Sequence, residues 1–184
     1  MALANAGNMK LKQGLIQVYT GEGKGKTTAA LGLAMRAAGT GLNVCVIQFI
    51  KGYKNIGELK ASKNLGENLQ IIQFHDDRAQ PIGKPTTIHK VAAQKALKYV
   101  QKIIKEAKHD LVVLDEINNA LFYKLIPIKK VLEIMDSKPT KMELVLTGRN
   151  APAEILEKAH LVTEMKKIKH PFDNGINARK GIEY

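Results

Sequence analysis

The sequence has no tryptophan, and all aromatics together make up 5% of it. No stretch interleaves aromatic with basic side chains, the pattern that stacks single-stranded nucleic acid. Cysteine is limited to Cys45, which excludes an intrachain disulfide. Cys45 lies in the apolar run VCVIQFI and reads as a packing residue rather than a reactive thiol. No apolar run has the roughly 20 residues needed to span a bilayer. The N-terminus, MALANAGNMKLKQG, lacks the apolar core of a signal peptide, so a cytoplasmic location is expected. Acid is scarce: 17 Asp and Glu face 29 Lys and Arg, a net charge of +12. That excess favours polyanions such as nucleotides, nucleic acids or anionic membranes. The lysines are scattered rather than gathered in one block, so an ordinary solvated surface explains them as well. The histidines, His75, His89, His109, His160 and His170, show no paired metal-ligand spacing and read as structural.

What is present is a chain of 184 residues with 45% hydrophobic content, enough for a real core. Residues 1–13 are small and polar and read as a flexible N-terminal segment; 14–184 read as one domain. Short apolar runs alternate with helical patterns. Strands are expected at 14–20, 43–50, 69–74, 111–116, 143–149 and 161–165, from their β-branched and apolar composition. Helices are expected at 28–38, closed by Gly39, then at 87–108, through Phe122, at 128–135, and after Pro152. The segment 75–86, with two prolines and a glycine, reads as a loop. Strands alternating with helices predict an α/β fold, a parallel sheet with helices on both faces.

The chemistry starts at VYTGEGKGKTTAALG, Val18 to Gly32. A strand turning through glycines into a helix gathers backbone N–H groups and a helix dipole around one point. Gly21, Gly23 and Gly25 let the backbone approach a phosphate; Lys26 adds a cation and Thr27 a hydroxyl suited to Mg²⁺. The pattern G-x-x-x-x-G-K-[ST] anchored on Gly25-Lys26-Thr27 requires glycine at position 20, where Thr20 stands. The loop is therefore one residue short. A dinucleotide fingerprint fails too, because Lys26 or Thr28 stands where its third glycine belongs.

The run LVVLDE ends in Asp115 and Glu116, as does the strand that supports Mg²⁺ beside a phosphate loop. Thr147 and Arg149, in LTGRN, either face the ligand edge of the sheet or close the strand in a surface turn. Arg36, on the helix after the loop, either reaches phosphate or is solvated. These residues alone admit a P-loop ATPase or kinase cleaving the terminal phosphate. The positive charge leaves a nucleotide-gated nucleic-acid-binding module open as well.

Taken in order, TGEGKGKTTAALGLAMRA, VIQFIKG with Gly57-Glu58, LVVLDEIN, ELVLTGRNAP, LVTEM and IKHPFDNGINARKGIEY resemble the P-loop ATP:corrinoid adenosyltransferases of cobalamin biosynthesis and salvage. The resemblance runs from about Gly14 to Tyr184. That family carries this shortened loop and binds ATP reversed relative to ordinary P-loop ATPases. The resemblance implies attack of cobalt(I) of a reduced corrinoid on the ribose 5′ carbon, with triphosphate leaving. It implies that Gly21, Glu22, Gly23, Lys24, Gly25, Lys26, Thr27 and Thr28 hold the triphosphate, with Arg36 as a further phosphate or ribose contact. Thr27 and Glu116, with Asp115 beside them, would bind Mg²⁺; Lys26 and Glu116 would carry catalysis. A homodimer and a flavoprotein reductant are also implied. The family places aromatics, including a tryptophan, in the loop after the third strand against the corrin. Here Phe74 and Ile82 are the candidates for that contact.

Overall fold

A computed structural model describes residues 10–50, 56–75 and 85–183. Six strands form one sheet: β1 (Ile16–Thr20), β2 (Val44–Gln48), β3 (Leu69–Gln73), β4 (Leu111–Asp115), β5 (Glu143–Thr147) and β6 (Leu161–Glu164). Their order is β3-β2-β4-β5-β1-β6, and every pair is parallel. The helices are α1 (Lys26–Gly39), α2 (Gly57–Ser62), α3 (Thr87–Glu106), α4 (Ile117–Phe122), α5 (Ile128–Ser137) and α6 (Ala153–Lys158).

The pleat divides the apolar runs between two cores. Val44, Val46, Leu111, Val113 and Val145 point to the side of α1, whose buried stripe is Ala30, Ala34, Ala37 and Ala38. Alanines at this helical spacing let the α1 axis lie close to the sheet. Cys45, Ile47, Val112, Leu114, Leu144 and Leu146 point to the opposite face. There Val100, Ile103 and Ile104 of α3, Val131 and Ile134 of α5, and Ile155 of α6 cover them. Strands buried on both faces read as continuous apolar runs, and this is why LVVL and VCVI show no alternation. Burial pushes the Cys45 thiol up to about 12, in line with a packing role.

Two histidines prove structural. His89, 4% exposed, closes a capping box at the start of α3: its Nδ1 accepts from the Thr86 backbone N–H at 3.1 Å. His160 Nδ1 accepts from the Ile16 N–H at 3.0 Å and ties the start of β6 to β1. β6 is exposed along its length, as an edge strand with one neighbour. Leu11 of the N-terminal segment packs against the α1-side core, whereas residues 1–9 lie outside those described. Among the described residues no helix is long and apolar enough to cross a membrane.

The chain leaves β1 for β2 through α1, which crosses one face of the sheet over β5 and β4. The carboxyl ends of β1, β4 and β5 therefore stand side by side, and three short connections open onto one edge. In open parallel sheets ligands bind at that edge.

Candidate functional site

A cleft of about 890 Å³ opens along this edge, lined by Glu22 to Thr28 of the loop after β1, by Glu116 and Asn119, and by Arg149 and Asn150. Gly57 and Glu58, Leu31, the aromatic pair Phe122 and Tyr123, and His170 with the C-terminal Gly181, Ile182 and Glu183 form the rest of its walls. Of the expected loop, Glu22 to Thr28 are thus brought together with Glu116 in one place, and Gly21 does not line the cleft.

The loop is held from outside and from within. The Gly23 N–H donates to the Met165 carbonyl at 2.6 Å, and the Met165 N–H donates to the Thr20 carbonyl at 2.8 Å. The residue after β6 therefore serves as its platform. Gly21 has φ of 95°, and a Cβ there would lie 2.5 Å from the Met165 carbonyl oxygen, so both conformation and space demand glycine. Lys26 is the first residue of α1 and is 8% exposed. Its Nζ donates to the carbonyls of Gly21 at 2.7 Å and Gly23 at 2.6 Å, folding back through the loop it follows. Burial lowers its pKa below the ordinary lysine value, and the Arg149 charge adds to that; Glu116, Glu22 and Asp115 oppose it.

Asp115, 1% exposed, is a hub rather than a cleft wall. Its Oδ1 accepts from the hydroxyls of Thr27 at 2.9 Å and Thr147 at 2.7 Å, and its Oδ2 from Gln48 Nε2 at 3.3 Å. Gln48 Oε1 in turn accepts from Gln73 Nε2 at 2.7 Å, extending the network to β3. These bonds fix the Thr27 hydroxyl at the start of α1 by way of β4.

Glu116 takes a left-handed turn, φ 65°, which aims the chain away from the sheet and opens α4. Its N–H donates to Thr147 Oγ1 at 3.0 Å, and its Oε2 accepts from Asn119 Nδ2. Asn119 Oδ1 accepts from the Arg149 N–H at 2.6 Å. One amide thus clasps Glu116 and the β5–α6 turn together. The approach is close: a Cβ on Gly148, whose φ is 131°, would lie 2.9 Å from the Asn119 backbone nitrogen. Of the two LTGRN residues, Arg149 lines the cleft, whereas Thr147 is fully buried and does not.

The C-terminus closes one end. Lys24 Nζ meets Glu183 Oε1 at 2.9 Å and the Ile182 carbonyl at 3.1 Å. Hydrogen bonds from Arg179, then from Lys24, draw the Glu183 carboxyl down to about 2.

Two expected residues lie elsewhere. Arg36 is exposed in the last turn of α1 and does not line the cleft; α1 carries it away from the loop. Phe74, just past β3, packs on the α3-side core with its ring 5.5 Å from that of Tyr99, also outside the cleft lining. Ile82 and most of the loop around it fall outside the described residues. Sequence reasoning missed Asn119, Gln48 and the C-terminal wall. A glutamine inside the apolar run VCVIQFI was the available signal for Gln48, because a fully buried amide has to be paired. The i, i+3 spacing of Glu116 and Asn119 on a helix was the signal for Asn119.

A glycine loop ending in Lys-Thr between a buried strand and a helix, with acids at the end of the next strand but one in the sheet, defines a P-loop nucleotide-binding protein. The fold agrees. A KaiC-like protein, PH0186, from Pyrococcus horikoshii OT3 superposes with TM-score 0.56 at 18% identity over 87% of this chain and 76% of that one. The flagellar accessory protein FlaH from Methanocaldococcus jannaschii gives TM-score 0.54 at 13% identity, covering 85% and 72%.

Sequence likeness narrows the class. The family model described as ATP:corrinoid adenosyltransferase BtuR/CobO/CobP matches residues 12–184. The corrinoid adenosyltransferase of a Sinorhizobium species is 38% identical over 182 residues, covering 94% of this chain and 81% of that protein. That of Escherichia coli K12 is 34% identical over 173 residues, covering 94% and 87%. The chain belongs to the ATP:corrinoid adenosyltransferase family, and it is a transferase.

Proposed function

We propose that the protein transfers the 5′-deoxyadenosyl group of ATP to the cobalt(I) of a reduced corrinoid and releases triphosphate. The observation that carries this reading is the shortened phosphate loop within a family match that spans the whole domain. In this reading the nucleotide lies in the cleft with its phosphate chain over the loop and its 5′ carbon presented to the corrin. The cobalt is the nucleophile, so no protein nucleophile is needed. The protein's task is to hold the triphosphate and to stabilise the charge that grows on it as it departs. Loop N–H groups and Lys26 supply that stabilisation from fixed positions.

Mg²⁺ is part of the proposal. The donor set fits a hard cation: Thr27 Oγ1 and the Glu116 carboxylate are oxygens, with Asp115 orienting Thr27. Among the described residues no cluster of three or more His, Cys, Asp or Glu side chains could hold an ion, so the remaining ligands would be phosphate oxygens and water. When bound, the ion would neutralise charge on the leaving triphosphate. A homodimer, a flavoprotein that supplies electrons to the corrinoid, and a cytoplasmic location complete the reading. The corrin contact expected of Phe74 is not part of this reading, because Phe74 packs against Tyr99 on the α3-side core.

A phosphate-cleaving ATPase built on the same loop would turn over without corrinoid. Incubated with ATP and Mg²⁺ alone, this protein is expected to release negligible phosphate. Steady ADP formation under those conditions would favour terminal-phosphate hydrolysis and overturn the reading.

A further inference from the structure

A cleft that receives an anion carries an acid in its own loop. Glu22 stands between Gly21 and Gly23 and lines the cleft. Its Oε2 lies 3.4 Å from Arg149 Nη1, and both side chains are about half exposed, 54% and 52%. The contact is single-ended and long, without the two parallel bonds of a strong guanidinium–carboxylate pair. Such exposed pairs add little to stability. The backbone beneath Arg149 is nevertheless firmly set, through the 2.6 Å bond to Asn119 and the close packing of Gly148. The guanidinium is therefore delivered to the cleft on a rigid turn and only loosely held once there.

The charges around it explain the arrangement. Burial first, and then the Arg149 charge, destabilises the Lys26 ammonium, while Glu116, Glu22 and Asp115 oppose the shift. Two cations, Lys26 and Arg149, converge on one open space, and the carboxylates of Glu22 and Glu116 sit among them, Glu22 being the one in contact with Arg149. A fixed set of like charges facing a common cavity is unfavourable until an anion enters. Lys24 is already occupied by Glu183 and the Ile182 carbonyl at the other end of the loop, which leaves Arg149 as the loosely held cation at this side.

We propose that Glu22 is a displaceable counter-ion: it holds Arg149 over the phosphate loop while the cleft is empty, and an incoming triphosphate takes its place. Arg149 then clamps the phosphate chain, and Glu22 sets the threshold an anion must overcome. A triphosphate carries enough charge to offset both the lost ion pair and the repulsion from Glu22; a single phosphate offsets less. Glu22 thus favours polyphosphate over orthophosphate. The proposal rests on the nucleotide-cleft reading above.

Calorimetric titration with inorganic triphosphate, in buffer without divalent metal, tests it on wild type, Glu22→Gln, Arg149→Gln and the double variant. Both sites are half exposed, and Gln at 149 keeps the backbone bond to Asn119, so all four are expected to melt together. Glu22→Gln is expected to bind triphosphate tighter than wild type by about two- to fivefold, the range set by one exposed ion pair. Arg149→Gln is expected to bind it more weakly. The gain from Glu22→Gln should shrink by at least half when Arg149 is already Gln, since the coupling between the two is what the exchange consists of. Unchanged or weaker binding by Glu22→Gln overturns the proposal. So does a gain of equal size in both backgrounds, which would reveal simple repulsion without exchange. If Arg149→Gln does not fold, the sign of the Glu22→Gln effect still decides. Wild type that binds no triphosphate would overturn the nucleotide reading itself, whereas wild type that binds it with Glu22→Gln unchanged would sink the counter-ion alone.

Discussion

Lys26→Ala is expected to lower adenosyl transfer by on the order of 10²-fold or more, the usual effect of removing one preorganised charge contact from a developing anion. The effect should be this large because Lys26 does two things at once. Its ammonium sits at the N-terminal end of α1, where loop N–H groups and the helix dipole already favour negative charge. It also holds the loop in shape from inside, through the carbonyls of Gly21 and Gly23. Truncation removes the cation and leaves both carbonyls without that donor. The fold should survive, since the two sheet cores lie away from the loop and Met165 still anchors Gly23. Arginine is not expected to rescue, because its planar fork cannot replace a compact ammonium between two converging carbonyls. Rate measurement with reduced corrinoid, alongside circular dichroism, checks this. Wild-type turnover in a folded Lys26→Ala protein would remove Lys26 from the mechanism.

Glu116→Gln is the second large effect, expected to cost about 10²-fold in transfer at limiting Mg²⁺. This substitution isolates charge from shape. The backbone of Glu116 is pinned by Thr147 Oγ1, and a glutamine side chain still offers an oxygen to Asn119 Nδ2. Only the negative charge is lost from a position lining the cleft opposite the loop. The Mg²⁺ concentration for half-maximal rate should rise, and calorimetry should register weaker binding of Mg²⁺ in the presence of nucleotide. If Glu116→Gln matches wild type across the whole Mg²⁺ titration, the carboxylate has another role.

Much of the fold was legible because its signals are local. A run such as LVVL buried on both faces reads as a parallel strand whatever its neighbours are, and β4 ends at Asp115. The α1 helix begins two residues earlier than its apolar pattern suggests, at Lys26, because the start is set by the glycine loop and not by burial. The α2 helix was not legible: GELKAS is short, polar and without a repeating apolar face. Strand order was not legible either. Adjacency of β1 to both β5 and β6 depends on pairings more than a hundred residues apart in sequence, and no local pattern encodes them.

The site divides along the same line. Gly21 to Thr28 and Glu116 were readable in the sequence, and the fold brings Glu22 to Thr28 and Glu116 to one cleft, with Gly21 against Met165. The partition of labour between the two acids was not. Asp115 ends the buried strand and is consumed by the hydroxyls of Thr27 and Thr147; the left-handed turn at Glu116 is what presents the next carboxylate to the cleft. Arg149 was one of two readings until the Gly148 turn placed it. Glu183 lies 159 residues from Lys24, and nothing in the order of residues announced that contact.

The central claim is that the bond broken in ATP lies between the 5′ carbon and the triphosphate. The protein, incubated with ATP, Mg²⁺ and a chemically reduced corrinoid, followed by phosphorus NMR of the products, tests this directly. The account predicts triphosphate in equal amount to the adenosylated corrinoid, and ADP or orthophosphate at background; ADP and orthophosphate accumulating in place of triphosphate would contradict it.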